Sequence, residues 1–190
     1  MHETSQAPEL QYRLGTPDAE CRYPVIVGDA LIGWAFRWHR DWLVDSSAGE
    51  RNLHRPPKGS KGVDMAADYL AGEFRAGRIT ATPLAEARAE SAQPHGPAPL
   101  LHPRMPITTA NVRAAHKALA GLTEHRWTPR SGYPGADNPW FVVCDLCGWS
   151  GPRYWSHLRG RNGNPPSIMR HEGGCIGADA VRQTIAAYQK

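Results

Sequence analysis

The sequence of 190 residues contains no apolar run near the ~18 residues that a membrane-spanning helix needs. A membrane protein and a membrane partner are therefore not expected. The opening stretch, MHETSQAPELQYRLG, lacks the apolar segment of a secretory signal. A cytoplasmic location follows as the expectation. In that compartment cysteines serve more often as metal ligands or free thiols than as disulfides. Gly-x-Ser-x-Gly, P-loop and Gly-x-Gly-x-x-Gly patterns are missing, so no nucleophile elbow or phosphate cradle is marked. The acids Asp41, Asp45, Glu50 and Asp64 are scattered, with no pairing that suggests acid–base work. The expectation is a non-enzyme. Internal repeats are also absent.

Gly and Pro, by contrast, are abundant at 19 and 17, which implies much loop. The net charge is +4, and it is unevenly placed: from Met105 to Lys190 there are ten Lys and Arg against five Asp and Glu. The basic character thus belongs to the C-terminal half, and it permits an acidic partner.

Residues 1–20 read as a flexible lead-in. Pro24–Val27 reads as a strand and Gly28–Asp29 as a turn. Ile32, Trp34, Phe36 and Trp38 alternate with other residues, the period of a half-buried strand. Arg40–Asp41 is a tight connection to a third strand, Trp42–Val44. Ser46 to Gly62 is polar loop. Val63, Ala66, Ala67, Leu70 and Phe74 then mark one face of a helix ending at Gly77. The fold class predicted is α+β: a small three-stranded antiparallel sheet plus a helix over residues 21–79, then a linker, then a second domain. The linker, 80–106, carries Pro83, Pro94, Pro97, Pro99, Pro103 and Pro106, with room for a short helix over Leu84–Ser91. Thr108–Thr109 offers a helix N-cap to a stripe of Val112, Ala115, Leu119 and Leu122. Trp127–Asn138 reads as loop, Trp140–Val143 as a strand, Pro152–Pro166 as loop or ribbon, and Gly177–Tyr188 as a helix.

The strongest chemical signal is Cys144-Asp-Leu-Cys147 followed by His171-Glu-Gly-Gly-Cys175. A Cys-x2-Cys pair at a strand end forms a knuckle whose sulfurs share one centre, and Gly148 suits the turn. His171 and Cys175 stand one helical turn apart, at the start of the last helix. Three thiolates and an imidazole make a closed tetrahedral set, for which zinc is the best-fitting metal, in a structural role. His157 is a rival for His171. Unrelated thiols, and a redox Cys-x2-Cys, are the alternatives; the latter leaves His171 and Cys175 without a role. Cys21 is read as a free, partly buried thiol.

Strand, Cys-x2-Cys-Gly knuckle, ribbon and a second ligand pair at a helix start resemble the treble-clef zinc fingers over Trp140–Lys190. The resemblance implies one zinc ion but leaves function open among nucleic-acid binding, protein binding and catalysis. A C2H2 finger fits less well, because neither His157 nor His171 lies about twelve residues beyond Cys147.

Between the ligand pairs no acid opposes Arg153, Arg159, Arg161 and Arg170 from Leu146 to Arg170. Trp149, Tyr154 and Trp155 interleave with them, and Asn162 and Asn164 follow. Guanidinium groups contact phosphates, rings stack on bases and Asn reads adenine edges. The same residues also suit a mini-core with a charged surface. In the N-terminal part, a meander and helix resemble the βββα DNA-binding modules of AP2-like and integrase-arm type. If Trp34, Phe36 and Trp38 cover the helix, Arg37 and His39 point outward, with Arg40 beside them. The long basic loop from Arg51 to Lys61 departs from those modules. A generic α+β unit is the other reading there.

The function expected is non-catalytic nucleic-acid binding, to DNA before RNA. A protein-interaction adaptor is the main alternative. The order His157, Asn164, His171 also resembles the HNH nucleases, although the spacings are short for them.

Overall fold

The structure is a computed structural model that describes residues 11–91, 98–161 and 164–189. Part of the lead-in, part of the linker, and Asn162 therefore lie outside the described residues. The Cα positions divide into two compact units, residues 1–16 with 22–93, and residues 17–21 with 94–190. The class is α+β. No helix among the described residues is long and apolar enough to cross a membrane.

The first unit is built on an antiparallel sheet of β1 (Arg13–Leu14), β2 (Tyr23–Val27), β3 (Ala30–Trp38), β4 (Asp41–Ser46) and β5 (Gly49–Asn52) in chain order. Helix α1 (Gly62–Arg75) follows. Then β6 (Thr82–Pro83) pairs with β3, and α2 (Leu84–Ser91) follows it. The predicted meander is thus the centre of a six-stranded sheet. The added strands are two to four residues long, too short for periodicity to reveal. The first part of the Pro-rich segment is likewise not a spacer. Pro83 sits on an edge strand, where its missing N–H costs no ladder bond.

One feature of β3 overturns the expected facing. Val25 lies opposite Gly33 and Ile26 opposite Leu31, so Ile32 is an inserted residue and the strand bulges. The bulge shifts the phase of alternation. Ile32 and Ala35 both join the core under Ala66, Ala67 and Leu70 of α1. Trp34 lies instead in the cluster of Ile26, Leu31 and Ala87, with Leu84 of α2. The aromatic face therefore does not cover α1 at Trp34. By alternation from Ala35, Arg37 stands on the α1 side rather than outward.

In the second unit α3 (Thr109–Glu124) starts where the Thr108 side chain accepts from the Asn111 N–H at 3.2 Å. Strands β7 (Trp127–Pro129), β8 (Pro139–Cys144) and β9 (Ser150–Tyr154) form an antiparallel sheet in that order. Residues expected as loop before β8 supply β7, and β9 runs into the segment expected as loop or ribbon. The short α4 (Trp155–Leu158) follows, then α5 (Ala178–Thr184) and a 3-10 turn over Ala186–Tyr188. The single helix expected from Gly177 to Tyr188 is broken at Ile185, which is extended and buried.

Ala115, Ala118 and Leu122 of α3 pack with Trp127, Trp140, Val142, Trp155 and Leu158. Gly121 provides the space for this packing: a Cβ there would overlap the Trp155 ring. Tyr133 exchanges backbone hydrogen bonds with Leu100 and His102, which ties the end of the expected linker to this unit.

Candidate metal centre and adjoining cleft

Cys144 closes β8, and its N–H donates to the Trp149 carbonyl at 2.7 Å across the hairpin. The Gly148 N–H donates back to the Cys144 carbonyl at 2.8 Å, with Gly148 at φ +77°. This is the tight turn that a Cys-x2-Cys knuckle needs. The second pair lies in a loop rather than on a helical turn. Gly173 and Gly174 take φ +79° and +77°, and α5 begins only at Ala178. The ligand-bearing segment therefore differs from the predicted helix start, because two left-handed glycines turn the chain between His171 and Cys175.

The metal-binding atoms of Cys144, Cys147, His171 and Cys175 all lie within 4.8 Å of one another. Cys144 Sγ and Cys175 Sγ are 3.6 Å apart, and Cys147 Sγ and His171 Nε2 3.1 Å. A tetrahedron with metal–sulfur bonds of about 2.3 Å has sulfur–sulfur edges of about 3.8 Å. The four donors are positioned to hold one metal ion. His157 is exposed and is not part of the cluster.

The surroundings are built around the ligands. His171 Nδ1 donates to the Glu172 carbonyl at 3.0 Å, which leaves Nε2 as the donor atom for a metal. The Trp149 indole stacks on the His171 ring with centroids 4.7 Å apart and planes within 1°. Trp127 stands edge-on to His171 and Trp149, at 6.2 Å from each. Trp155 is buried. Trp149 and Trp155, read as possible base-stacking rings, are thus engaged inside the unit.

Arg170 is the largest departure from the expected site. It was read as a nucleic-acid contact, yet it is 1% exposed. Its Nη1 donates to the His125 carbonyl at 2.7 Å and its Nη2 to the Arg126 carbonyl at 2.9 Å. Nη2 also reaches Cys144 Sγ at 3.4 Å, and the guanidinium carbon lies 4.3 Å from the Trp127 ring centroid. Its charge faces the Cys144 sulfur rather than solvent. The sequence gives no direct signal for this role beyond the place of Arg170 next to His171.

These contacts separate the thiols. Burial works against ionisation of Cys144, but the Arg170 hydrogen bond, the Leu146 N–H and the Arg170 charge hold its thiol below the ordinary value. Cys175 is pushed up to about 11, by burial first and then by the Cys144 and Cys147 thiols. Cys21, expected to be partly buried, is fully buried, and burial with Asp18 and Glu20 nearby raises its thiol far above the ordinary range.

Of the other arginines, Arg159 and Arg161 are exposed. Arg153 is half-buried on β9, and burial, with the neighbouring Arg170 charge, lowers its pKa against the pull of Tyr188. Arg153, His157, Arg161, Asn164, Ser167 and Tyr188 line a cleft of about 330 Å³, whose lining includes Arg170. His157 and Asn164 share this cleft while His171 sits among the metal donors, so the three residues form no nuclease-like trio. In the first unit Arg37 Nε donates to the His39 carbonyl at 2.9 Å, and Arg40 is exposed at the β3–β4 turn.

No family model, no curated protein and no solved structure matches this chain. The centre is therefore read from its own donors and geometry.

Proposed function

We propose that the second unit is a zinc-stabilised, non-catalytic nucleic-acid-binding module. The donor set carries the metal assignment. Three thiolates and a neutral imidazole around a divalent ion leave one net negative charge, and buried Arg170 supplies the matching positive one. Among the described residues no carboxylate pairs with Arg170, and a buried guanidinium with nothing to balance it costs several kcal/mol. A closed four-ligand set with no open position gives zinc a structural role. Thiolate ligands also suit a reducing compartment such as the cytoplasm.

The observation that supports nucleic acid is the basic surface beside this centre. Arg159 and Arg161 are exposed, and Arg153 and Arg161 line one cleft with His157. The sequence from Cys147 to Met169 holds no acid. Asp137 is 3.9 Å from Arg161 and largely exposed, so solvent screens the pair. Phosphate contacts from these arginines would fix the module on DNA, with Arg40 of the first unit as a further contact.

A salt titration tests this. Affinity for a short DNA duplex should fall steeply with ionic strength, and Arg159→Ala with Arg161→Ala should lower the log–log slope by about two. Affinity that does not respond to salt overturns the reading. That result favours a protein-interaction adaptor, for which the structure offers Met169 and Ile176, apolar side chains 58% and 41% exposed beside the ligands His171 and Cys175.

A further inference from the structure

We infer that the cleft next to the metal centre is a receptor for a terminal phosphate monoester of a nucleic-acid strand. This rests on the nucleic-acid reading and names the chemical group that this part of the surface takes. The cleft gathers guanidinium groups: Arg153 and Arg161 line it, Arg161 Nη1 lies 3.4 Å from His157 Nε2, and Arg170 is part of the lining.

Arg153 is the key residue. It is half-buried on the cleft wall it shares with the Arg170 guanidinium, and both the burial and the like charge work against its own charge. Among the described residues no carboxylate pairs with it. A bound anion removes that penalty. Asn164 and Ser167 add neutral polar groups.

Shape and charge select the end of a strand over its middle. Backbone diesters carry one charge each and are followed by arginines spread along an open face, the position of Arg159. A phosphate monoester carries close to two charges near pH 7 and three outward oxygens. It matches several donors converging on one concave point. A volume of about 330 Å³ lies at the lower end of ligand pockets, typically about 300–1,000 Å³, which suits one phosphate with its sugar rather than a run of backbone.

The experiment compares single strands of one sequence bearing a 5′-phosphate, a 3′-phosphate or neither, titrated against the full chain with its metal. One phosphorylated strand should bind about tenfold more tightly than the unphosphorylated strand, the worth of one charge-assisted hydrogen bond. Which end shows the gain identifies the source of the phosphate. Arg153→Gln should abolish the gain, so that the variant binds the phosphorylated and unphosphorylated strands equally. Arg159→Gln should weaken all three strands alike and keep the gain. Equal affinity for all three strands overturns the cleft and leaves the nucleic-acid reading standing. Binding to none overturns both. A gain that survives Arg153→Gln in a folded protein also overturns the cleft.

Discussion

Arg170 Nη2 lies 3.4 Å from the Cys144 sulfur while the same nitrogen donates to the Arg126 carbonyl at 2.9 Å. One planar group thus joins a ligand thiol to the turn between α3 and β7. Lysine cannot reproduce that fork, because it presents a single ammonium.

Arg170→Lys should therefore destabilise the second unit. The buried His125 carbonyl loses its charged donor, at about 1.5–3 kcal/mol, while the Arg126 carbonyl keeps the Asp145 N–H at 3.1 Å. Metal affinity should fall roughly 10- to 100-fold, as for other groups that orient ligands from behind. Competition against a chromophoric chelator, beside a denaturant titration, measures both effects. Unchanged affinity would show that Arg170 does not act on the centre.

Removal of the metal should act on one unit only. The four donors join the β8–β9 knuckle to the segment before α5, and the second unit has one modest core around Trp127 and Trp140. Chelation or Cys144→Ser should expose its amides to hydrogen exchange. Those of β2, β3 and α1 should keep their protection, since their core is formed within residues 22–93. Equal protection with and without chelator would remove the structural role.

The pH dependence of binding follows from the thiols. Cys175 is raised to about 11, so the metal-free protein holds it protonated at neutral pH, and metal entry must displace that proton. Affinity should thus rise with pH, by about tenfold per unit for each proton released. A raised thiol favours the metal-free form at low pH, and the metal competes better as pH climbs. Chelator competition at pH 6, 7 and 8 measures the slope. A flat profile would mean that the thiol proton is not displaced.

Much of the site could be read from the chain, and less of the packing. Cys144, Cys147, His171 and Cys175 were legible because metal ligation demands particular residue types at particular spacings. Helices α1 and α3 were legible because their apolar residues repeat with one period along the whole element. The facing of β3 was not. A bulge at Ile32 breaks the period of two, and only Gly33 hints at it. Arg170 was misread for a different reason: a cation in an acid-free stretch resembles a solvated phosphate contact, and only the fold brings it onto Trp127 and Cys144.

Two helix glycines separate backbone propensity from packing. Gly72 in α1 has nothing within 4 Å of the place a Cβ would take, so Gly72→Ala adds only helix propensity. It should stabilise the first unit by about 1 kcal/mol. Gly121 in α3 gains the same propensity, but its Cβ would overlap the Trp155 ring, which is 6% exposed and held by the core. Overpacking a well-filled core costs about 1–3 kcal/mol, so the clash outweighs the propensity gain. Gly121→Ala should destabilise the second unit by up to about 2 kcal/mol. Denaturant melts of the two variants should shift in opposite directions. A gain in stability at both positions would mean that Trp155 moves freely, and that the close approach of α3 to α4 does not organise the core behind the metal centre.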